Sequence, residues 1–368
     1  MALSPLNQRR WRNFRRNGRA FWSLIIFMVL FTITLFAEFV ANDKPILVKY
    51  RGEFYMPIFK TYQESTFGGE PGFQIRYSDP EAQCLIITGG IEDCFDEPEE
   101  LIEDAGDGMI DGEKIAKGWI LSPIIPYSYD TQVERSGAAP LPPGEGNWLG
   151  TDDTKRDVLA RVIYGFRLSI LFTLTVTVLA SFFGILAGAV QGYFGGWVDL
   201  IFQRIIEIWG ATPQLYVIII MFAVLGRSFW LLVFITVLFG WTALVGVVRA
   251  EFLRARNLEY VRAAKALGVS NTTIMFRHML PNAMVATLTM LPFIVTGTIS
   301  LLAGLDFLGF GLPSSLPSLG ELTLQAKQNL HAPWLAFTAF FTFAIMLSLL
   351  VFIFEGVRDA FDPRKTFQ

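Results

Sequence analysis

The segment Glu259-Tyr-Val-Arg-Ala-Ala-Lys-Ala-Leu-Gly268 lies between two long apolar runs of the chain. At helical spacing one face of this segment is apolar and mostly small-sided, and it consists of Tyr260, Ala263, Ala264 and Leu267. Gly268 suits the left-handed position past a helix end, and Ser270 suits the N-cap of a second short helix. Pro281 suits the first turn of the apolar helix that follows. The pattern predicts a short helix that another protein can approach closely.

The apolar runs on both sides have the length of membrane-spanning helices. Of the 368 residues, 52% are hydrophobic and 17% are charged, whereas soluble domains carry about 25% charged residues. Crossing a bilayer takes about 20 mostly apolar residues, because unpaired backbone groups are costly in lipid. Six stretches qualify, at about 20–41, 168–193, 200–225, 228–249, 283–311 and 334–356. We predict an all-α integral membrane protein with six transmembrane helices.

The distribution of Lys and Arg predicts the orientation of these helices, since short basic flanks stay on the cytoplasmic side. The tail 1–19 carries six arginines and no acid, and 249–282 carries six basic residues against two acids. Both segments are therefore predicted inside. This assignment puts the C-terminal tail 361–368 inside as well and the segment 42–167 outside.

The predicted outside segment is acidic, with 23 acidic and 12 basic residues over 42–167. Ile46-Leu47-Val48 and Phe54-Tyr55-Met56 have the composition of strands, and the Pro- and Gly-rich stretch 140–146 is typical of a linker. We predict a small ordered insert over 42–146, between the first and second helices. The membrane domain then covers 147–360 and contains the loop 250–282.

Few residues in the chain suit catalysis or metal binding. Eleven acids lie between Glu92 and Glu113, but Gly106 and Met109 occupy positions where a calcium loop needs ligands, so we expect a solvated acidic surface. His278 and His331 have no matching triad or ligand set. For Cys84 and Cys94, a disulfide and two free thiols are both open alternatives. We predict no catalytic residue and no metal site.

The segment 259–281 resembles the EAA loop of the integral permeases of ATP-binding-cassette importers, through its Ala263-Ala264, Gly268 and Leu280-Pro281 spacing. Arg262 stands in the usual Glu position and His278 where Ile is commonest, as in the oligopeptide and dipeptide branch. The resemblance implies that this segment is the coupling helix, which seats in a groove of the ATPase subunit. Its residues are Glu259, Tyr260, Arg262, Ala263, Ala264, Lys265, Leu267 and Gly268.

The resemblance covers about 145–360. Leu149-Gly-Thr-Asp152, Arg156–Arg161 and Tyr164-Gly165 look like the signature before the second helix of peptide permeases, with Lys155 where that signature usually has Gly. Gln191–Asp199 looks like the turn before the third helix. The family implies a type I, MetI-like permease fold in a bacterial inner membrane. Three upstream stretches, 41–45, 67–69 and 126–131, resemble the Yej-type peptide and microcin C importers.

The family also implies partners. These are a second, YejB-like permease subunit, an ATP-binding subunit or YejF-like tandem ATPase, and an extracytoplasmic peptide-binding protein, all at a lipid bilayer and without nucleic acid. This sequence has no G-x-x-x-x-G-K-[ST] motif, so ATP and Mg²⁺ are expected in the partner ATPase. The expected cargo is oligopeptides, microcin C type compounds or cell-wall peptides.

Several residues in the apolar runs are candidates for gating or packing. Gly184, Gly188, Gly192 and Gly196 repeat every four residues, as in close helix packing or a sliding face. Pro213 and Pro292 should kink their helices, either as simple kinks or as gate hinges. Arg204 and Glu207 can pair on one helix face, as a structural pair or in cytoplasmic gating. Asp306 is expected to be a solvated or interfacial carboxylate, or else to receive a peptide amino terminus.

Two other classes of protein compete with a permease. A secondary transporter without an ATPase would need ion sites at membrane depth and commonly internal repeats, whereas the ionisable residues here lie mostly near helix ends. A membrane sensor or enzyme would need an inside output domain or a catalytic motif such as G-x-S-x-G. We identify neither an inside output domain nor a catalytic motif in the sequence. The secondary transporter and the sensor or enzyme are therefore weaker alternatives than the permease.

Overall fold

The computed structural model describes residues 5–110, 113–144 and 146–361. Asp111 of the acidic run and most of the predicted C-terminal tail, 362–368, lie outside the described residues. The helices are α1 Pro5–Arg16, α2 Gly18–Leu35, α3 Ala37–Val40, α4 Pro80–Thr88, α5 Pro98–Asp104, α6 Val158–Phe194, α7 Gly196–Gly210, α8 Gln214–Leu225, α9 Phe229–Gly240, α10 Thr242–Ala255, α11 Glu259–Ala266, α12 Asn271–Thr273, α13 Leu280–Phe307, α14 Leu319–Gln328 and α15 Pro333–Phe361.

The predicted membrane fold is confirmed. Five helical stretches are long and apolar enough to cross a bilayer, and they are α2, α6, the α9–α10 pair, the continuous stretch Asn271–Phe307, and α15. The pair α7 and α8, bent by 70° at a short break, makes a sixth span if it is counted as one. The fold is therefore mostly helical, with two small sheets.

The helix bounds differ from those predicted because hydropathy marks only the part of a helix that lies in lipid. α6 begins at Val158, ten residues before the predicted start, and α10 continues to Ala255. The first helix ends at Leu35, and the short α3 follows it. The predicted second short helix after Ser270 is not separate: α12 runs through a π-helical segment, Ile274–Met279, into α13.

The described chain forms two compact units, each treated by itself. The first comprises the described residues of Met1–Phe31, Gly165–Gln328 and Ala336–Gln368. One of its apolar clusters joins α6, α8, α9 and α13 through residues such as Phe172, Ile218, Leu232 and Leu302. A second cluster, described below, lies around α11.

Close helix packing in this unit depends on the glycine repeat of α6. A Cβ atom added to Gly188 would lie 2.7 Å from the Val245 carbonyl oxygen, and one added to Gly192 would lie 2.6 Å from the Arg249 carbonyl oxygen. Gly184 similarly abuts the Trp241 carbonyl. The backbone of α6 is therefore in contact with α10 and its N-cap residue over about two helical turns. Gly196, the fourth member of the repeat, has open space around it.

The second unit comprises Thr32–Tyr164 and Asn329–Leu335. Its antiparallel sheet has the strand order β2-β1-β5, with β1 at Leu47–Tyr50, β2 at Glu53–Tyr55 and β5 at Trp119–Leu121. Val48 is paired with Tyr55 on one side and with Ile120 on the other. The two predicted strand segments are therefore confirmed. A two-stranded sheet pairs β3 Met109–Ile110 with β4 Glu113–Lys114.

An aromatic cluster fills the core under the larger sheet. The buried Phe67 ring meets the rings of Tyr50 and Tyr55 edge to face, with centroids 5.3 and 5.2 Å away. Tyr77 lies on the same ring, and burial raises the pKa of its hydroxyl well above the ordinary value. α4 packs on this cluster through Ala82 and Ile86. The acidic unit thus has an apolar core of its own.

A disulfide joins Cys84 of α4 to Cys94, and both residues are fully buried beside Leu85. The bond closes a loop with a sequence separation of 10. The acidic helix α5 follows this loop directly, and none of its residues is buried. The disulfide therefore holds the segment that bears the predicted acidic surface.

We predict that replacing both cysteines by Ala lowers the free energy of unfolding of this unit by about 2–3 kcal/mol, because a short closed loop restricts the unfolded chain. Limited proteolysis of the full chain should show faster cleavage within 80–104 in the double variant. Reductant should produce the same acceleration in the wild type and no further change in the variant. Two free thiols found by mass spectrometry of the unreduced protein would contradict the assignment.

Candidate functional site: the coupling segment

α11 is a short helix with a defined end. The backbone N–H groups of Gly268 and Val269 donate to the carbonyls of Lys265 and Ala264 at 3.0 and 3.1 Å. Gly268 has a φ of +76°, which a residue with a side chain adopts only with strain. Ser270 then accepts a hydrogen bond from the Thr273 N–H and caps the next helical stretch. The local sequence therefore sets where α11 stops and where the chain re-enters a helix.

The two faces of α11 have different environments. Tyr260, Ala263 and Leu267 are exposed, and Leu267 has 83% of its surface accessible. Val261 is fully buried, and the partly buried Ala264 packs beside it. The predicted apolar face is thus largely the outward one. Periodicity did not identify Val261 as the inward anchor, because small or apolar residues occur on both faces.

Val261 lies in a cluster that joins α11 to three other helices. The cluster contains Tyr193 of α6, Val248 and Phe252 of α10, and Ile274 and Met279 of the π-helical segment. All of these residues are less than a twentieth exposed. Dense packing of this kind transmits displacement because interiors have few voids. α11 is therefore packed without gaps against α6, α10 and the segment before α13.

Tyr193 is a polar junction in the same place. Its hydroxyl donates to the Asn271 side-chain oxygen at 2.6 Å, and the Lys265 ammonium lies 4.7 Å from the centre of its ring. On the outward side, the Asn282 side-chain amide donates to the Tyr260 hydroxyl at 3.3 Å. These contacts fix α11 to α6, α12 and α13. The sequence did not predict the contacts of Tyr193, since Lys265 and Asn271 lie 72 and 78 positions after it.

An ion pair holds α7 against α10 near this cluster. The Arg249 guanidinium makes a bidentate contact with Asp199, with Nε–Oδ1 and Nη2–Oδ2 distances of 2.5 and 2.6 Å. Paired charges of this geometry are among the stronger side-chain contacts. In the sequence, Arg249 is an orientation signal and Asp199 belongs to a motif, and no local pattern pairs the two. The one sequence signal for this pair is that Arg249 stands at the very end of an apolar run, where a charged side chain needs a partner.

The break between α7 and α8 occurs at Pro213. The two helices bend by 70° there, and Pro213 takes the N-cap position of α8. Pro292 behaves differently, because α13 continues through it without interruption. Thr296 donates its hydroxyl to the Pro292 carbonyl at 2.9 Å. The helical stretch that contains Pro213 is therefore broken, whereas the helix that contains Pro292 is continuous.

A cavity of about 330 Å³ lies beside both prolines, between α6, α9, α13 and the start of α8. Gln214 and Phe293, the residues after Pro213 and Pro292, both line it. Two polar atoms of its wall, Gln214 Nε2 and Thr236 Oγ1, have no hydrogen-bond partner in the described part of the chain. Sequence analysis identified the prolines but not the cavity or its polar groups.

The three charged candidates have defined partners. Arg204 and Glu207 form the predicted pair on α7, with an Nη1–Oε2 distance of 2.5 Å, and both side chains are exposed. Asp306 is not solvated, so that expectation is wrong: it is only 5% exposed. It accepts hydrogen bonds from the Leu312 N–H at 2.7 Å and from the Ser318 hydroxyl. The loop after α13 folds back over the carboxylate, and sequence spacing could not reveal that return.

The signature before the second span forms a buried ionic network. Asp152 accepts from the Arg156 backbone N–H and guanidinium at 2.8 Å each, and Arg161 lies 3.5 Å away with both side chains fully buried. Lys155 takes the left-handed conformation, with a φ of +63°, at the position where the signature usually has glycine. Trp334 at the start of α15 donates to the Thr151 carbonyl at 3.2 Å. This network fixes the start of α6 to the start of α15.

Asp157 caps α6 in this network. It accepts from the Asn147 amide at 3.0 Å and from the Ala160 N–H at 2.8 Å. Burial raises the pKa of Asp157 above its ordinary value, and the hydrogen bonds from Asn147 and the backbone oppose part of that rise. Within the described ranges, no three His, Cys, Asp or Glu side chains are close enough together to hold a metal. The geometry is that of a helix cap.

Two family models match the chain. The one described as binding-protein-dependent transport system inner membrane component matches residues 180–367, a range that includes α11 and every span after α6. The one described as the N-terminal transmembrane domain of oligopeptide transport permease C matches residues 4–57.

Several curated proteins are similar over most of the chain. The inner membrane ABC transporter permease protein YejE of Escherichia coli is 52% identical over 99% of this chain and 98% of its own length. The peptidoglycan transport system permease protein YejE of Agrobacterium fabrum is 50% identical over 100% and 95%. The oligopeptide transport system permease protein OppC of Bacillus subtilis is 34% identical over 64% and 78%.

We predict opposite effects for two glycine-to-alanine changes. Gly188→Ala should destabilise the protein by about 1–3 kcal/mol, because its Cβ meets the backbone of α10. Gly246→Ala, on the exposed side of α10 with open space around it, should be neutral or stabilising by up to about 1 kcal/mol. Thermal unfolding midpoints in detergent measure both. Equal midpoints for the two variants would contradict close α6–α10 packing.

Proposed function

Because this chain belongs to the family of binding-protein-dependent transport system inner membrane components, as a peptide permease of an ABC importer, we propose that α11 is the element through which its ATPase drives transport. One observation carries the proposal. The exposed apolar patch of Tyr260, Ala263 and Leu267 is backed by fully buried Val261. A patch that is both accessible and firmly supported suits a contact that must receive and transmit a push.

The proposed mechanism is a rigid-body displacement. When the ATPase subunits close on nucleotide, α11 moves with the groove that holds it, and the cluster around Val261 carries α6, α10 and α13 with it. A bistable membrane domain biased by a partner is what such coupling requires. ATP and Mg²⁺ belong to the ATPase, and this chain contributes no nucleotide-binding motif.

Gating is assigned to the cavity beside Pro213 and Pro292. The bend between α7 and α8 and the wall of α13 border the same space, so movement of α13 changes the cavity's width. Gln214 and Thr236 offer hydrogen bonds to a polar substrate there. The exposed Arg204–Glu207 pair on α7 is the candidate cytoplasmic gate. Asp306 is assigned to loop support, because its oxygens already accept hydrogen bonds from that loop.

The proposed topology puts both termini and the segment 250–282 in the cytoplasm, and the acidic unit outside. The partners are then a second, YejB-like permease, a YejF-like ATPase and a peptide-binding protein that docks from outside. The relatives are named as permeases for peptidoglycan, oligopeptide or dipeptide transport, and these names support peptides as the cargo. We include microcin C type peptide conjugates and cell-wall peptides in the proposed range.

Affinity purification of the tagged subunit from membranes tests this assignment. We expect a second permease and an ATPase to co-purify, and ATP hydrolysis by the complex to rise when binding protein loaded with peptide is added. Transport by the purified subunit alone, driven by an ion gradient, would instead indicate a secondary transporter.

We predict that Gly268→Asp abolishes peptide uptake while the subunit stays folded in the membrane. An Asp here adds a negative charge at the docking surface, while Asp, like Asn, is among the few residues that tolerate the left-handed conformation of this position. Gly268→Asn is the matched control, because Asn has nearly the same shape, tolerates this conformation and is uncharged. It should retain most uptake. The measurement is peptide uptake, normalised to the amount of subunit in the membrane. Normal uptake by the Asp variant would contradict the coupling role.

We also predict that the acidic surface of α5 contributes to docking of the binding protein. The test variant replaces the exposed Glu99 and Glu103 of α5 by Gln. The control variant replaces the exposed Glu70 and Glu81 by Gln, so both variants lose the same charge. The α5 variant should bind the binding protein about twofold to fivefold more weakly at low salt, with a smaller difference at high salt. Equal binding by both variants would place docking elsewhere.

A further inference from the structure

The first helix of the chain packs on the last one. Phe14 of α1 is buried, and it contacts Ala20 of α2 together with Val357 and Ala360 of α15. Gly356 permits the contact, since an added Cβ would meet Ala20 and would lie 3.0 Å from the Phe14 ring. α1 is therefore held against the end of a membrane span.

A groove of about 440 Å³ lies along this contact. Among the described residues its lining is apolar apart from one arginine, and consists of Arg10, Trp11, Phe14, Leu24, Ile353, Val357, Ala360 and Phe361. The Arg10 guanidinium lies 4.3 Å from the centre of the Phe361 ring. Trp11 is 47% exposed at the same place. The groove thus combines an apolar wall with a fixed positive charge.

The surroundings of the groove are strongly basic. α1 and the first turn of α2 carry six arginines and no acid, namely Arg9, Arg10, Arg12, Arg15, Arg16 and Arg19. The last turns of α15 add Glu355, Arg358 and Asp359. Among the described residues of α1, the start of α2 and the last turns of α15, seven arginines therefore accompany two carboxylates. An apolar protein segment would gain nothing from this excess of positive charge, whereas an anionic ligand would.

We propose that this groove binds one acyl chain of an anionic phospholipid, with the lipid phosphate against Arg10 and its neighbours on α1. Acyl chains are the apolar material that surrounds the ends of membrane spans. Basic pockets and amphipathic helices at such ends select anionic headgroups, and Trp commonly anchors at the same depth. The proposal concerns a lipid site on the permease and does not depend on the coupling role of α11.

Quenching of Trp11 by brominated lipid tests the proposal in the intact importer complex. Vesicles of phosphatidylcholine contain a fixed minor fraction of either brominated phosphatidylglycerol or brominated phosphatidylcholine. The difference between the wild type and Trp11→Phe isolates the signal of Trp11 among the nine tryptophans of this chain. We expect brominated phosphatidylglycerol to quench Trp11 more strongly than brominated phosphatidylcholine at equal fraction.

Variants of Arg10 identify the site. Arg10→Gln should lower the preference for phosphatidylglycerol by about fivefold, the effect of one basic residue near an anionic lipid. Arg10→Lys should retain most of it, and Arg227→Gln, an exposed arginine in the α8–α9 turn, should change nothing. Native mass spectrometry should likewise find fewer phosphatidylglycerol molecules retained by Arg10→Gln. Equal quenching by the two lipids, a preference insensitive to Arg10→Gln, or no quenching of Trp11 would each overturn the proposal.

Discussion

The contact between the backbones of α6 and α10 is the constraint on which the coupling end of the membrane domain depends. Gly184, Gly188 and Gly192 place no side chain of α6 between the two helices. In lipid, where burial of apolar surface gives little drive for association, such close packing is a main source of helix affinity. Tyr193 at the end of α6 and Phe252 of α10 belong to the buried cluster that also contains Val261, and this cluster lies at the end of the close α6–α10 contact.

Much of the fold could be predicted from apolar length, because lipid requires closed helices. The strands of the acidic unit also followed from local composition. Helix ends did not, since the polar ends of α6 and α10 continue beyond the apolar core. The neighbours of Asp306 in the sequence suggested a solvated carboxylate. Its environment is instead set by Ser318, which the loop after α13 brings back to it. Contacts between distant positions are not encoded in any local pattern.

In the coupling segment, too, local features could be predicted from the sequence and contacts between distant positions could not. Spacing predicted the short helix, its glycine stop and the Ser270 cap, all of which are local. It could not decide which face packs inward, because Ala264 and Val261 are as small or apolar as the residues facing out. The cavity beside Pro213 and Pro292 is a further case, since Gln214 and Thr236 come together only when α8 and α9 pack.

The π-helical turn at Ile274–Met279 separates the coupling segment from the long α13. A π turn holds one residue more than an α turn over the same rise, so it rotates everything before it by about 100° relative to everything after it. The faces that α12 and α13 present are therefore set by a single inserted position. Loss of that position would preserve every helix and every sequence motif, yet would turn the Ser270 cap to a different side of the bundle. The direction in which each face of this helix points therefore depends on the number of residues in it as well as on its composition.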